Sequence, residues 1–194
     1  MKGKGLRMKI VLASGSPRRK ELLAGLGVEF EVRLMSGIDE SYPPGLTPEE
    51  TAETIARKKA DAYRPTIKND ELLITADTIV CIDGKVLGKP HDEQEAIEML
   101  KTLRGRTHQV VTGVTLSTTE RTESFAAVSN VTFSQLTDEE IKYYVETFRP
   151  LDKAGAYGIQ EWIGYIGVER IEGSYFNVMG LPVARLYQAM KQFI

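Results

Sequence analysis

Lys9-Ile-Val-Leu-Ala-Ser-Gly-Ser-Pro-Arg-Arg19 is the stretch from which the fold is read. Lys9 to Ala13 is an apolar run rich in β-branched and aliphatic residues, as a short buried strand demands. Pro17 suits the first turn of a helix, where its missing N–H is an orphan in any case and its φ is pre-set. Ser16 then stands at the N-cap. Strand, Ser14-Gly-Ser16 turn and helix start aim free backbone N–H groups and the positive end of a helix dipole at one spot, a geometry that attracts phosphate. Arg18 and Arg19 follow in the first turn, where the dipole disfavours cations. An anion held between two guanidinium forks accounts for them; a solvated pair on an ordinary capped helix is the other reading.

Working outward, the pattern predicts a helix over 17–26 stopped by Gly27, a strand-like 29–35, and a polar, proline-rich loop over 37–45. Thr47-Pro-Glu-Glu50 opens a helix with a cap, a proline at N1 and a glutamate at N3; it runs to about Tyr63. Residues 72–76 and 78–82 read as strand, interrupted at Asp77. Asp83-Gly84 signals a hairpin turn, with 85–87 returning and a helix over 93–103 after it. Residues 109–117 and 124–134 look like a long antiparallel pair, and Thr137-Asp-Glu-Glu140 caps a helix to about Thr147. A glycine-rich loop over 153–160 leads to strands near 165–171 and 174–178, and Leu181-Pro182 starts a last helix. Hairpins mixed with crossovers predict an α/β chain with a mixed sheet flanked by helices.

At 194 residues the chain fits one domain, 8–194, with a flexible extension over 1–7. Lys and Arg number 25 against 27 Asp and Glu, so there is no basic stripe for nucleic acid. Cys81 is the only cysteine, which favours a reducing compartment. No apolar run reaches membrane-spanning length, and residues 1–7 lack the apolar segment of a signal peptide. The expectation is a soluble cytoplasmic domain with no nucleic-acid or membrane partner.

Five side chains stand out as chemistry. Asp77 is a carboxylate inside the apolar run Ile74-Thr-Ala-Asp-Thr-Ile-Val80, costly to bury unless paired, hydrogen-bonded or metal-bound; a bulge residue turned to solvent is the alternative. Lys59 falls on the apolar stripe Ala52, Ile55, Ala56, Tyr63, so it meets an anion or snorkels past the helix edge. Its neighbour Lys58 points away and reads as an ordinary surface residue. Glu40, in the proline-rich loop, could join Asp77 in offering the hard oxygen ligands that Mg²⁺ prefers. Lys89, in Leu87-Gly-Lys-Pro90, is either solvated or a phosphate-binding point charge. Gln160 closes Ala154-Gly-Ala-Tyr-Gly-Ile-Gln160, where small residues suit close approach to a flat ligand. His91 and His108 lack partners at zinc spacing. Trp162 and Cys81 read as packing residues, and no nucleophile elbow, Walker motif or dinucleotide fingerprint is present.

Ser14-Gly-Ser-Pro-Arg-Arg19, Ala76-Asp-Thr-Ile-Val80, Gly88-Lys-Pro90, Leu151-Asp-Lys-Ala-Gly-Ala-Tyr-Gly-Ile-Gln160, Gly173-Ser-Tyr and Gly180-Leu-Pro182 resemble, in this order, the Maf family of nucleoside triphosphate pyrophosphatases. The resemblance covers the chain from Met8 onward and implies an inosine-triphosphatase-like fold, a long twisted mixed β-sheet between helical lobes with a central cleft. It implies that Ser14, Arg18 and Arg19 form a triphosphate cradle and that Lys59 and Lys89 bind phosphate. It further implies that Glu40 and Asp77 hold a divalent metal, Mg²⁺ or Mn²⁺, and that Asp77 is the catalytic proton acceptor. Arg19, Thr78 and Gln160 match positions linked with base specificity. The motif forms resemble the branch acting on dTTP and UTP rather than the branch preferring 7-methyl-GTP.

The activity so implied is hydrolysis of dTTP and UTP, or of modified pyrimidine nucleotides, to monophosphate and pyrophosphate. The implied role is house-cleaning or cell-division arrest, with a homodimer as the assembly to test for. A nucleotide-binding regulator would need the cradle but not Asp77 with Glu40. A nucleotidyl or sugar-phosphate transferase would need an acceptor other than water.

Overall fold

The computed structural model describes residues 8–193, so the expected extension over 1–7 lies outside the described residues. In chain order the elements are β1 (Lys9–Leu12), α1 (Pro17–Ala24), β2 (Phe30–Val32), α2 (Pro48–Tyr63), β3 (Glu71–Ile82), β4 (Lys85–Leu87), α3 (Glu93–Leu103), β5 (Thr107–Ser117), β6 (Thr122–Phe133), α4 (Asp138–Phe148), α5 (Trp162–Gly167), β7 (Val168–Glu172), α6 (Tyr175–Met179) and α7 (Val183–Met190). The sheet is mixed, in the order β2-β1-β3-β5-β6-β7 with β4 on β3. β1 lies parallel to β2 and β3, whereas β4 and β7 run antiparallel to β3 and β6. Thr107 faces Thr132, Thr115 faces Ser124 and Ser117 faces Thr122 through their hydroxyls, an antiparallel register for β5 and β6.

Two compact units share the chain. One takes the chain up to Asp77, Thr112–Ala127 and the end from Gly180; the other takes Thr78–Val111 and Val128–Met179. In the first, Val11, Ala13, Ala60, Tyr63 and Leu73 pack together beneath Ile38 and Ile67. α2 thus lays its apolar stripe on the parallel strands, as its spacing requires. Gly113 lets it settle there, because a Cβ at that position would stand 2.2 Å from the Ala52 backbone. Thr75 donates its hydroxyl to the Ala56 carbonyl at 2.7 Å, tying β3 to the same helix. In the second unit, the rings of His108, Phe133 and Tyr157 meet edge to face at 4.9–5.4 Å.

Three expectations are corrected. β3 runs unbroken through Asp77, because the carboxylate has a partner and needs no bulge. Only Phe30–Val32 of 29–35 pairs as strand. Residues 165–171 and 174–178 are not two strands: the first is the end of α5 followed by β7, the second is mostly α6. Gly164 decides the former, since a Cβ there would lie 1.7 Å from the Ile159 carbonyl oxygen. Ser174 helps decide the latter, its hydroxyl accepting the Asn177 N–H at 3.3 Å.

Candidate active site

The turn after β1 forms as its sequence demands. The Ser16 side chain accepts the Arg19 N–H at the N-cap of α1, and Pro17 opens the helix. Buried Ser14 accepts the Ser16 N–H on its Oγ at 3.2 Å. Ala13 donates its N–H to the Ile74 carbonyl, which sets the turn just past the carboxyl end of β1 and beside the middle of β3. Ligands of open α/β sheets bind at such strand ends. Arg18 and Arg19 are both half-buried in the first turn of α1. Arg19 donates from Nε to the Gly180 carbonyl and from Nη1 to the Ala76 carbonyl, each at 2.9 Å. Burial pulls its guanidinium below the usual arginine range; Asp77 and Glu40 pull it back up and Arg18 pulls it down.

Lys59, Asp77 and Glu40 meet. The Lys59 ammonium lies 2.7 Å from Asp77 Oδ1 and 3.0 Å from Glu40 Oε1. The Lys59 and Asp77 side chains are each 14% exposed and Glu40 is 56% exposed. The apolar stripe of α2 therefore meets an anion at Lys59, and the anion is the carboxylate inside the apolar run of β3. Lys58 is not the idle surface residue its position suggests. Its Nζ donates to Asp39 Oδ2 at 2.8 Å and to Ser41 Oγ at 3.0 Å, while Asp39 also accepts the N–H and hydroxyl of Ser41. Lys58 thus holds the loop on either side of Glu40, and Lys59 holds Glu40 itself. The pull of Lys58 and the two Ser41 bonds keep the Asp39 carboxyl well below the usual range.

Thr78, Lys89 and Gln160 belong to the second unit. Thr78 follows Asp77 directly and, by strand alternation, points to the opposite face of the sheet. Lys89 is exposed just past β4. The neighbouring Gly88 carbonyl accepts the Gly155 N–H at 3.1 Å, which joins this segment to the glycine-rich loop. Gly155 lies against Val80, leaving no room for a Cβ. Gly155 and Ala156 both take positive φ, 68° and 61°, a conformation that strains alanine by about 1–2 kcal/mol. Gln160 Oε1 is buried and has no hydrogen-bond partner.

Two carboxylates that share one ammonium at 2.7 and 3.0 Å also converge on a point a small hard cation could take. Among the described residues no third His, Cys, Asp or Glu joins them. That donor set fits Mg²⁺, which is commonly held by one or two carboxylates with substrate phosphates and water filling its shell. No helix among the described residues is long and apolar enough to cross a membrane.

Fold and site together define an α/β protein with a capped strand-to-helix turn and a lysine-bridged carboxylate pair beside it. A family model described as Maf-like protein matches residues 9–193. The dTTP/UTP pyrophosphatase of Phocaeicola vulgatus is 60% identical over 186 residues, 96% of each chain. That of Porphyromonas gingivalis is 58% identical over 189 residues, 96% of this chain and 95% of the other. That of Flavobacterium johnsoniae is 44% identical over 194 residues and the whole of both chains. Among solved structures, a HAM1 protein from Coxiella burnetii aligns with a TM-score of 0.48 at 16% identity, over 95% of this chain and 99% of that one. The chain belongs to the Maf-like protein family.

Proposed function

We propose that this protein is a nucleoside triphosphate pyrophosphatase that hydrolyses dTTP and UTP to the monophosphate and pyrophosphate. The observation behind this reading is the Glu40–Lys59–Asp77 cluster beside the Ser14–Arg19 turn, in a chain whose relatives bear that activity in their names. Asp77 accepts a proton from the water whose oxygen bonds to the α-phosphorus. The bond from that phosphorus to the bridging oxygen breaks, and pyrophosphate leaves with its electron pair. Arg18, Arg19, Lys59 and Lys89 neutralise the charge that grows on the departing phosphates. A triphosphate arriving at the cluster lets the Lys59 ammonium exchange carboxylate for phosphate oxygens. Glu40 and Asp77 would hold Mg²⁺ or Mn²⁺, which when bound there supplies further charge neutralisation on the phosphates. For the base, a Gln160 amide turned toward the nucleotide would accept the N3–H of thymine and uracil; its oxygen is buried in the free protein. Cytosine offers an acceptor at that edge and leaves the oxygen unpaired. Thr78 and Arg19 join Gln160 in this role by family likeness.

Pyrophosphate release from a panel of canonical and modified triphosphates, with Mg²⁺ or Mn²⁺, tests the reading. Release from dTTP and UTP with monophosphate as co-product, and its loss in chelator, is expected. Nucleotide bound without release from any member would instead identify a binding regulator.

A further inference from the structure

Glu40 reaches Lys59 from within a long loop, residues 33–47, that links β2 to α2 without regular structure. Ile38 packs on the cluster of Val11, Ala13, Ala60, Tyr63 and Leu73, and residues 39–45 after it are all exposed. A carboxylate on such a stretch keeps one place only if polar contacts hold its backbone. Around Glu40 they do. Asp39 Oδ1 accepts the Ser41 N–H at 2.9 Å and Oδ2 accepts the Ser41 hydroxyl at 2.8 Å, which folds the chain across Glu40 as an Asx-type turn. Lys58 ties that turn to α2, its Nζ donating to Asp39 Oδ2 at 2.8 Å and to Ser41 Oγ at 3.0 Å. All of these residues share one compact unit with Asp77 and the Ser14–Arg19 turn.

The Lys58 and Asp39 side chains are 36% and 69% exposed, and ion pairs so open to solvent add little to stability. What this one does fix is the backbone on both sides of Glu40. The two neighbouring lysines therefore divide the work. When a triphosphate arrives, Lys59 exchanges carboxylate for phosphate oxygens, and Glu40 loses the ammonium that holds its side chain. Lys58 holds Asp39 and Ser41 and can keep them. We propose that Lys58, through Asp39 and Ser41, is a positioning residue that keeps the Glu40 carboxylate beside Asp77 after Lys59 has turned to the substrate, an inference that rests on the dTTP/UTP reading. Both carboxylates then stay where a divalent cation can use them together.

The test is the Mg²⁺ concentration that gives half the maximal rate of pyrophosphate release at saturating dTTP. It is measured in the wild type, Lys58→Met, Asp39→Asn and the double variant. Each single substitution should raise that concentration about three- to fivefold, the scale of an exposed ion pair. The rate at saturating Mg²⁺ should stay within about twofold of the wild type. The double variant should be no worse than the larger single effect, because both substitutions break one contact. The direction of the shifts decides between position and charge. Acting through charge alone, loss of the Lys58 cation would lower the Mg²⁺ requirement and loss of the Asp39 anion would raise it. Opposite shifts, or none in either variant, would overturn the inference. So would a fall in rate that saturating Mg²⁺ does not restore, which would place Lys58 in the chemistry itself. Melts give a readout without turnover. The Tm of each free variant should lie within about 2 °C of the wild type, while the rise caused by the α,β-methylene analogue of dTTP at limiting Mg²⁺ should shrink. A lowered Tm with an unchanged Mg²⁺ requirement would make the clamp structural and overturn the inference. Glu40→Gln tests the reading beneath: a wild-type Mg²⁺ requirement there would remove Glu40 from the site. A raised requirement in Glu40→Gln, with none in Lys58→Met or Asp39→Asn, would overturn the positioning role alone.

Discussion

Lys59 sits one turn after Ile55 and one turn before Tyr63, both buried, at a position where α2 has no use for charge except to meet Asp77. The two side chains explain each other: each alone is an anomaly in an apolar pattern, and together they are a pair at 2.7 Å. That much of the site was legible in single residues. Lys58 was not, because its partners Asp39 and Ser41 lie in a loop whose path no periodicity reveals. Asp77→Asn preserves shape and, on the proposed mechanism, removes the proton acceptor, so pyrophosphate release from dTTP should fall by about a hundredfold or more. Circular dichroism should stay as in the wild type; a folded variant with the wild-type rate would make Asp77 structural. His108 supports a second prediction at this scale. It is buried, its Nε2 is 2.7 Å from the Tyr157 hydroxyl, and its Nδ1 has no partner. Burial pushes the imidazole down to about 4. The unfolded chain, with its histidine at ~6.5, then binds the proton first, so stability is intact above that pH and falls as pH drops towards ~4. The loss amounts to about 3 kcal/mol. Denaturant titrations across that window should show the slope in the wild type and a flatter one in His108→Phe. An equal slope in both would assign the acid sensitivity elsewhere.

Among the elements, those marked by their ends form as the sequence predicts. Thr47 and Thr137 each form a capping box, with the threonine side chain on the N–H three residues on and the glutamate returning the bond. The elements that depart from the sequence pattern are those decided from outside. Trp162-Ile-Gly-Tyr-Ile-Gly167 has the aromatic and β-branched content of a strand, yet Gly164 lets it wind as helix against the Ile159 carbonyl. Asp77 looks like a break in β3 because the partner that makes its burial tolerable comes from a helix eighteen residues earlier. α2 is the element on which site and core both depend, and two substitutions separate its own stability from its seating. Thr47→Ala removes the cap at about 1 kcal/mol, which for a chain of this size lowers Tm by about 2–4 °C. Since it leaves the helix on the sheet, turnover of dTTP should hold. Gly113→Ala drives a methyl into the Ala52 backbone from 2.2 Å and must push the helix away. It should cost more than the cap, about 1–3 kcal/mol, and lower turnover as well by moving Lys59. Thermal melts and rates on both variants decide it: a harmless Gly113→Ala would mean that α2 is not seated against β5.

For the molecule as a whole, net charge is −2, so no strong overall field draws or repels a nucleotide, and on the proposed reading the local charges at the cluster set the binding. There Lys59 already neutralises part of Glu40 and Asp77. A divalent cation alone would have to displace an ammonium from a pair with only two carboxylates to offer, and it gains little by doing so. Under the proposed function a triphosphate would change the balance, since its oxygens would receive Lys59 and complete the cation's shell at the same time. Cation and nucleotide should therefore stabilise the fold together and hardly at all apart. At a hundredfold excess over Kd, binding to the folded state adds about 2.7 kcal/mol, or roughly 5–10 °C in Tm for a chain of this length. The measurement is a set of melts with Mg²⁺ alone, with a non-hydrolysable α,β-methylene analogue of dTTP alone, and with both. A large rise only in the last, lost in Asp77→Asn, is the expected pattern. A full rise with Mg²⁺ alone would show that the carboxylates bind metal without the nucleotide, and that Lys59 gives way to the cation before any phosphate arrives.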